Sequence, residues 1–546
     1  MSIDSEAQYT SLVDLYNTAT HRYPDHVAFS CMGHDLSYQT LFQYSSQFAN
    51  MLQRQLGCQP GDRLAIMLPN ILPYPVVLFG ALQAGMTVVS LNPLERAKTL
   101  AHELRDSGST VVVVLENFAH ELAKAYPDTQ IAHTIIVRIG DLYPFPRHHV
   151  MNLTMRYLKR AIKPYHIPNT QLFLDSLDPQ RAPPTLHPIE LAHHTLAFIQ
   201  YTSGTTAQAK GVMLTHGNLL ANIQQAKASV AEALVEGEGC VITALPLYHI
   251  FALTANCLIF FSIGAQNVLI PNPRDMKAFL RQLRTYQPTA ITGVNTLFHG
   301  MLMHRDFARI RWSSLTITLG GGMPVSAPVA ATWQRTTGCP ITQAYGLTET
   351  APAATINPLR IPFNGSVGLP VQDTEIVILD PEGKACKTDQ PGEICIRGPQ
   401  VSPGYWHNLE ATEASFRDGW FHSGDIGYID SKGYVTIIDR IKDLIIVSGF
   451  NVPAAEVEDC IYALDAVAEV AVVGCHDTHQ GESIVAHIAL KPGHSLASRA
   501  VIAHCHKQLA GYKVPHYVRF HESLPKNPVG KVLKRLLRQS TQPGRI

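Results

Sequence analysis

The sequence predicts an α/β fold: a large N-terminal domain of helix-covered sheets with a small β-rich subdomain, followed by a small α+β C-terminal domain. Three observations predict it. Apolar strand-length segments alternate with helical ones over most of the chain, short strands and tight turns take over from Glu375, and mixed helix and strand patterns return after Arg440. Alternation of strand and helix implies parallel sheets covered by helices.

The first pattern starts at Arg63–Leu68, an apolar strand broken by Pro69 and Asn70. Helical spacing follows over Val76–Ala84, Gly85 caps it, and Thr87–Leu91 is the next strand. Further strands are expected at Thr110–Leu115, Val241–Leu245, Ala290–Gly293 and Thr316–Leu319. The apolar stretch Phe251–Ile270 is interrupted by Asn256, Ser262, Gly264, Gln266 and Asn267. It therefore reads as a buried helix, a turn and a strand rather than a membrane span, which needs ~20 mostly apolar residues. Residues Tyr143–Pro188, rich in Pro and His with a basic run from Met155 to His166, read as a surface excursion. In the β-rich part, strands are expected at Ile376–Leu379, Glu393–Arg397 and Tyr434–Ile438. Beyond it come a helix at Val457–Leu464 and strands at Val470–Val473 and Ile484–Leu490, with a domain boundary near Arg440.

Composition narrows the function classes. The chain has 546 residues, enough for more than one domain. Lys plus Arg and Asp plus Glu are both 43, so no net field favours nucleic acid as a partner. Ten scattered cysteines with no CxxC pair argue for neither a disulfide scaffold nor a structural zinc cluster, and point to a reducing cytoplasm. The polar, acidic start from Met1 to Tyr9 lacks the pattern of a signal peptide.

Five motifs carry chemistry. Tyr201–Gly211 sets five hydroxyls around Gly204 and ends on Lys210 and Gly211. Backbone N–H groups of a glycine-containing turn, hydroxyl donors and a lysine make a phosphate cradle, outside the GxxxxGK[ST] frame. Gly320, Gly321 and Gly322 then precede Tyr345–Thr350. Glycines admit a flat ligand close to the backbone, Tyr345 offers a ring, Thr348 a donor, and Glu349 a hard oxygen for magnesium. Gly419–Asp425 places a carboxylate after a turn, fit to accept two ribose hydroxyls. Asp439–Asp443 clusters charge around Ile441 at the expected boundary, and Leu524–Lys531 presents Lys531 from a Pro/Gly turn. Singly, each also fits a plain reading: a Ser/Thr-rich loop, a capped turn, an Asp turn, a solvated lysine.

Together and in this order they resemble the acyl-adenylate-forming superfamily of acyl-CoA synthetases, adenylation domains and luciferases. Leu245–Thr254, Thr292–Phe298 and Val447–Val452 look most like bacterial long-chain fatty acid–CoA ligases. The resemblance implies two sheets and a β-rich subdomain in residues 1–440, and a mobile domain in 441–546. It implies a two-step reaction of a long-chain fatty acid with ATP and then coenzyme A, with Mg2+. Thr202, Ser203, Gly204, Thr205, Thr206 and Lys210 would hold the β- and γ-phosphates. Gly321, Gly322, Tyr345 and Gly346 would frame adenine, and Asp425 with Arg440 the ribose. Thr348 would touch the α-phosphate, and Glu349 with Thr202 the metal. Lys442 matches the hinge, Gly449 the coenzyme A passage, and Lys531 the catalytic lysine. His249, Gly293 and Val294 would line or gate the acyl pocket, His249 as a gate or packing group rather than a base. The chain departs from most relatives at Ala207, where they carry Gly, and at Pro453, which they carry one position later. A fatty acyl-AMP ligase serving a carrier protein is the alternative enzyme, and a silent ATP or lipid sensor the non-enzyme alternative. A cytoplasmic location, peripheral contact with the inner face of the membrane, and a homodimer complete the expectations.

Overall fold

A computed structural model describes residues 9–178, 187, 189–202, 209–448, 450–477, 481–526 and 530–541. Its contacts divide into two compact units. Of the described residues, the first takes those up to Thr374 together with Arg397–Asp418; the second takes Glu375–Ile396 and those from Gly419 on.

The first unit holds two sheets. One has seven strands in the order Thr170–Leu172, His133–Val137, Val111–Leu115, Arg63–Met67, Thr87–Ser90, Leu196–Tyr201, Gly211–Thr215. The other has nine and runs from Leu369–Pro370 through Ala353–Ile356, Thr342–Gly346, Ile317–Gly320, Ala290–Gly293, Cys240–Thr243, Gln266–Leu269 and Val27–Cys31 to His34–Ser37. Their central strands are parallel, and such strands are covered on both faces, which is why Val111–Leu115 reads as unbroken apolar sequence. Helix Pro73–Gln83 is buried on every side and shows no amphipathic stripe. Its Gly80 is required by packing: a Cβ there would lie 2.8 Å from the Ser45 carbonyl on helix Tyr38–Arg54. Rings of Tyr16 and Phe79 stack at 4.2 Å in the main core, and Phe261 packs 5.0 Å from Phe79.

The apolar stretch Phe251–Ile270 is indeed helix, turn and strand. Helical residues Ile250–Ala252, a π-helical segment Leu253–Leu258 and Ile259–Ser262 lead through Gly264 to strand Gln266–Leu269. Asn256 sits inside it without a solvation penalty because its amide donates to the Ile242 carbonyl and accepts from the Thr292 hydroxyl at 2.7 Å. No helix among the described residues is long and apolar enough to cross a membrane. The surface excursion carries helix Arg147–Leu153, a π-helical continuation Thr154–Leu158, and the edge strand Thr170–Leu172.

In the second unit, Glu375–Leu379, Gly392–Arg397, Trp420–Ile429 and Val435–Arg440 form neighbouring strands. A further sheet orders Phe450–Val452, Ile445–Val447, Gly481–Leu490 and Val467–Asp477, with Tyr517–His521 parallel to Gly481–Leu490. Helix Ala454–Tyr462 packs on it, and Asp439 accepts the Ala455 N–H at 3.2 Å near that helix's start.

Candidate active site

The phosphate-cradle motif is a hairpin. Strands Leu196–Tyr201 and Gly211–Thr215 are antiparallel with Tyr201 opposite Gly211. Thr202 closes its base by donating its N–H to the Lys210 carbonyl at 3.0 Å. Ser203, Gly204, Thr205, Thr206 and Ala207 lie outside the described residues. The Tyr201 hydroxyl donates to Asp106 at 2.6 Å, and the Trp406 indole donates to the Asp106 carbonyl, tying the hairpin's first strand and Trp406 to helix Ala97–Ser107.

A third segment runs beside the hairpin. Met213 N–H donates to Gly404, Trp406 N–H donates to Gly211 at 2.7 Å, and Val212 bridges Tyr405. This sets Tyr405 between two expected site residues. Its hydroxyl donates to Glu349 at 2.7 Å, and the Lys210 ammonium sits 4.8 Å from its ring centre. Burial, then the Glu349 charge, push the Tyr405 phenol well up, so it stays a donor. Glu349 itself is buried, on the 3-10 turn Thr348–Thr350 beyond strand Thr342–Gly346. Thr202, Lys210 and Glu349 are thus linked through Tyr405 and its neighbours. Sequence reasoning missed Tyr405; the only signal was an aromatic pair, Tyr405 and Trp406, after a Pro-Gly turn.

The glycine-rich run sits where parallel strands end. Gly293, Gly320 and Gly346, with Tyr345 just before it, close three adjacent strands of the nine-stranded sheet at their carboxyl ends, where open α/β sheets bind ligands. A Cβ on Gly321 would lie 3.1 Å from the Ala344 carbonyl, and Gly322 has φ +74°, so both positions exclude most side chains. Gly346 has a packing reason of its own, since a Cβ there would overlap the Pro352 carbonyl at 1.7 Å. His249 accepts the Phe251 N–H through Nδ1 at 3.3 Å and so begins the helical segment at Ile250. The Phe251 ring lies 3.3 Å from where a Gly321 Cβ would be, and Val294 3.8 Å from that of Gly322. An apolar wall thereby abuts the glycine run.

In the second unit, four charged groups and Lys531 come together. Asp425 pairs across strands with Arg440, whose Nε reaches its carboxylate at 2.9 Å. The half-buried Lys531 ammonium is pushed down to about 8, first by burial and then by Arg440, with Asp425 opposing. Lys442 is likewise lowered, by burial and Arg440. Arg538 donates to the Lys442 carbonyl at 3.1 Å and to Asp443 at 2.7 Å, anchoring the short turn Ile441–Asp443. Gly449 lies outside the described residues.

Comparison with known proteins decides the family. The profile of the AMP-binding enzyme family matches residues 16–406, and that of the AMP-binding enzyme C-terminal domain matches 456–531. The chain belongs to the AMP-binding enzymes. It is 45% identical over 536 residues to a long-chain fatty acid–CoA ligase of Escherichia coli O157:H7, covering 98% of this chain and 95% of that one. A long-chain fatty acid–CoA ligase of Bacillus subtilis (strain 168) is 33% identical, over 97% and 95% of the two chains. Among solved structures, ATP-bound MatB from Rhodopseudomonas palustris has a TM-score of 0.82 at 27% identity, covering 98% of this chain and all of that one. The anthranilate CoA ligase AuaEII with anthranoyl-AMP has a TM-score of 0.86 at 23% identity over 99% of each chain, a likeness of fold.

Proposed function

We propose that this AMP-binding enzyme is an ATP-dependent long-chain fatty acid–CoA ligase that works through an acyl-AMP intermediate. The observation that carries this reading is the 45% identity, over nearly the whole chain, to ligases of that activity. The fatty acid carboxylate attacks the α-phosphorus of ATP and pyrophosphate leaves. The thiol of coenzyme A then attacks the acyl carbon and AMP leaves. The carboxylate is already ionised at neutral pH, so the first step needs no general base. What it needs is positive charge against a carboxylate meeting a polyanion.

Each residue's role is carried over by position from the family resemblance, and its chemistry suits that role. The hydroxyls of Thr202, Ser203, Thr205 and Thr206, the Gly204 backbone and the Lys210 ammonium hold the β- and γ-phosphates. Gly321, Gly322, Tyr345 and Gly346 frame adenine, and Thr348 donates to the α-phosphate. Asp425, oriented by Arg440, accepts from the ribose. Lys531 bridges carboxylate and α-phosphate. Glu349 and Thr202 fit Mg2+, because a buried carboxylate oriented by Tyr405 and a hydroxyl are hard oxygen donors. The ion supplies charge neutralisation of the phosphates. Residues 1–440 form the adenylation domain, and 441–546 turn about Lys442 between the two half-reactions, with Gly449 lining the coenzyme A passage. His249, Gly293 and Val294 line the entry to the acyl pocket.

A fatty acid arriving from a bilayer gives the surface excursion a role in peripheral membrane contact. Phe145, Val150, Leu153, Tyr157 and Leu158 are exposed, Leu158 at 80%, beside Lys159, Arg160 and Lys163. Apolar side chains flanked by cations suit an anionic bilayer surface. Flotation with anionic vesicles at low salt is expected to carry the protein, and Leu158→Glu to weaken it; failure of the wild type to float overturns this part.

The deciding experiment for the activity is pyrophosphate release and thioester formation across fatty acids from short to long. Thioester that requires coenzyme A and rises with chain length is expected. Acyl-AMP accumulating with no thioester would establish a fatty acyl-AMP ligase instead, and no pyrophosphate with any acid would leave a silent sensor.

A further inference from the structure

Strands Gly392–Arg397 and Trp420–Ile429 are antiparallel, with Cys395 opposite His422. Side chains two apart on a strand share a face, so Glu393 stands beside Cys395. The register slips between them: Glu393 faces Ile426 while Cys395 faces His422. The additional residues, Ser423 and Gly424, form a bulge with Gly424 at φ +70°. Three unlike donors meet against this bulge. His422 Nδ1 is 3.3 Å from the Cys395 sulfur and 2.9 Å from Glu393 Oε2. All three donor atoms lie within 4.8 Å of one another. The other Glu393 oxygen accepts the Gly424 N–H at 3.1 Å.

Sulfur, imidazole and carboxylate are the donors a zinc-class ion takes, at about 2.3 Å for sulfur and about 2.0–2.2 Å for nitrogen and oxygen. Tetrahedral ligation at those lengths separates neighbouring donors by about 3.3–3.6 Å. The two separations from His422 Nδ1, 3.3 Å and 2.9 Å, lie at and just short of that range, and the sulfur stands within 4.8 Å of the carboxylate oxygen, so side-chain rotation brings all three onto one ion. Cys395 is fully buried, whereas His422 and Glu393 keep 9% and 19% side-chain exposure, which gives an ion a way in and water a place as fourth ligand. The adenylation chemistry uses none of the three side chains.

We infer that Glu393, Cys395 and His422 form a binding site for a thiophilic divalent cation of the zinc class. On binding, the Cys395 thiol releases its proton to solvent and ligates as thiolate. His422 ligates through the Nδ1 lone pair, its proton carried on Nε2, and Glu393 through Oε2. Asp425 lies three residues beyond His422 on the same strand, just past the bulge that Glu393 holds. Resting on the reading of Asp425 as the ribose ligand, occupancy of the site alters the KM for ATP and leaves turnover nearly unchanged.

The test is cobalt titration of the full chain in excess Mg2+, which saturates oxygen-donor sites. One equivalent is expected to give a thiolate-to-cobalt charge-transfer band in the near ultraviolet, erased by Zn2+. The band is lost in Cys395→Ser and kept in Cys460→Ser, whose sulfur lies 3.9 Å from that of Cys505 and is the competing thiol pair. Glu393→Gln keeps sulfur and imidazole, so it keeps the band but binds more weakly, which preserves the test if Cys395→Ser does not fold. No band in the wild type, a band surviving Cys395→Ser, or unchanged affinity in Glu393→Gln overturns the site. One equivalent of Zn2+ is expected to shift the KM for ATP in the wild type and not in Cys395→Ser. A cobalt band without that shift overturns the link to Asp425 and leaves the metal site standing.

Discussion

The two units hold their reactive groups by different physics. In the first, Lys210 and Glu349 are set by neutral neighbours: a phenol, a ring face, and backbone bonds that splice the 404–406 segment onto the hairpin. In the second, Asp425, Arg440, Lys442, Asp443 and Lys531 set one another by charge, and the lysine ammoniums are pushed down by burial and by Arg440. A site built on packing keeps its geometry when pH or one charge changes. A site built on mutual charge does not, because each partner's removal shifts the others.

The largest expected effect tests that asymmetry directly. Lys531→Ala removes the cation opposed to the developing charge, and loss of one such donor costs roughly 10²–10³ in rate. Acyl-AMP formation falls by that factor while thioester formation from supplied acyl-AMP is spared, measured by separate half-reaction assays. Equal loss in both halves would break the assignment of Lys531 to one step. Next comes Tyr405→Phe, which strips a charged acceptor of its hydrogen bond. Such bonds contribute about 1.5–3 kcal/mol. On the order of tenfold loss in kcat/KM for ATP is expected, with a raised Mg2+ requirement and an unchanged pH profile. A shifted profile would mean the first unit is tuned by charge after all.

The pH profile separates the two regions further. Lys531 titrates near 8 rather than at the ordinary lysine value. Its ammonium is the active form, so kcat/KM for ATP, which reports the free enzyme, is full below that pH and falls as pH rises through about 8. Lys531→Arg moves the fall to higher pH, since a guanidinium stays charged. Asp425 holds the Lys531 ammonium up, so Asp425→Asn moves the fall to lower pH as well as raising the KM for ATP. A profile that ignores both substitutions would assign the fall to another group.

Much of the architecture behind this contrast is legible in the amino-acid sequence, and the rest is hidden for physical reasons. Strands at Ala290–Gly293 and Glu375–Leu379 are readable because apolar runs bounded by Gly and Pro have little else to be. The helix, turn and strand after Leu245 are readable too, because Asn256 and Gly264 punctuate an otherwise apolar run. The π-helical continuation there is not, since a one-residue change in hydrogen-bond register leaves no mark in composition. Strand Thr170–Leu172 is a short, partly exposed edge and carries no apolar signal. The sequence boundary near Arg440 marks a change of pattern, whereas contacts group Glu375–Ile396 and Gly419–Arg440 with residues 441–546. Contacts track cross-strand pairing such as that of Asp425 with Arg440, and a linear reading has no access to it. Tyr405 is invisible to such a reading because its partners are far away in sequence, at Lys210 and Glu349.

The smallest expected effect concerns the turn that carries the hinge residue. Arg538 ties the Lys442 carbonyl and the Asp443 carboxylate, and its side chain is 32% exposed, so solvent screens much of the pair. Partly exposed pairs of this kind contribute up to about 1 kcal/mol. Arg538→Ala is therefore expected to lower the unfolding midpoint of the second unit only slightly. Its sharper reading is kinetic. If the tie restrains the turn at Lys442, releasing it alters the ratio of the two half-reaction rates by no more than about fivefold, the rate equivalent of ~1 kcal/mol. A larger change would mean that Arg538 belongs to the charged cluster itself, and that the cluster, not packing around the turn, sets the hinge.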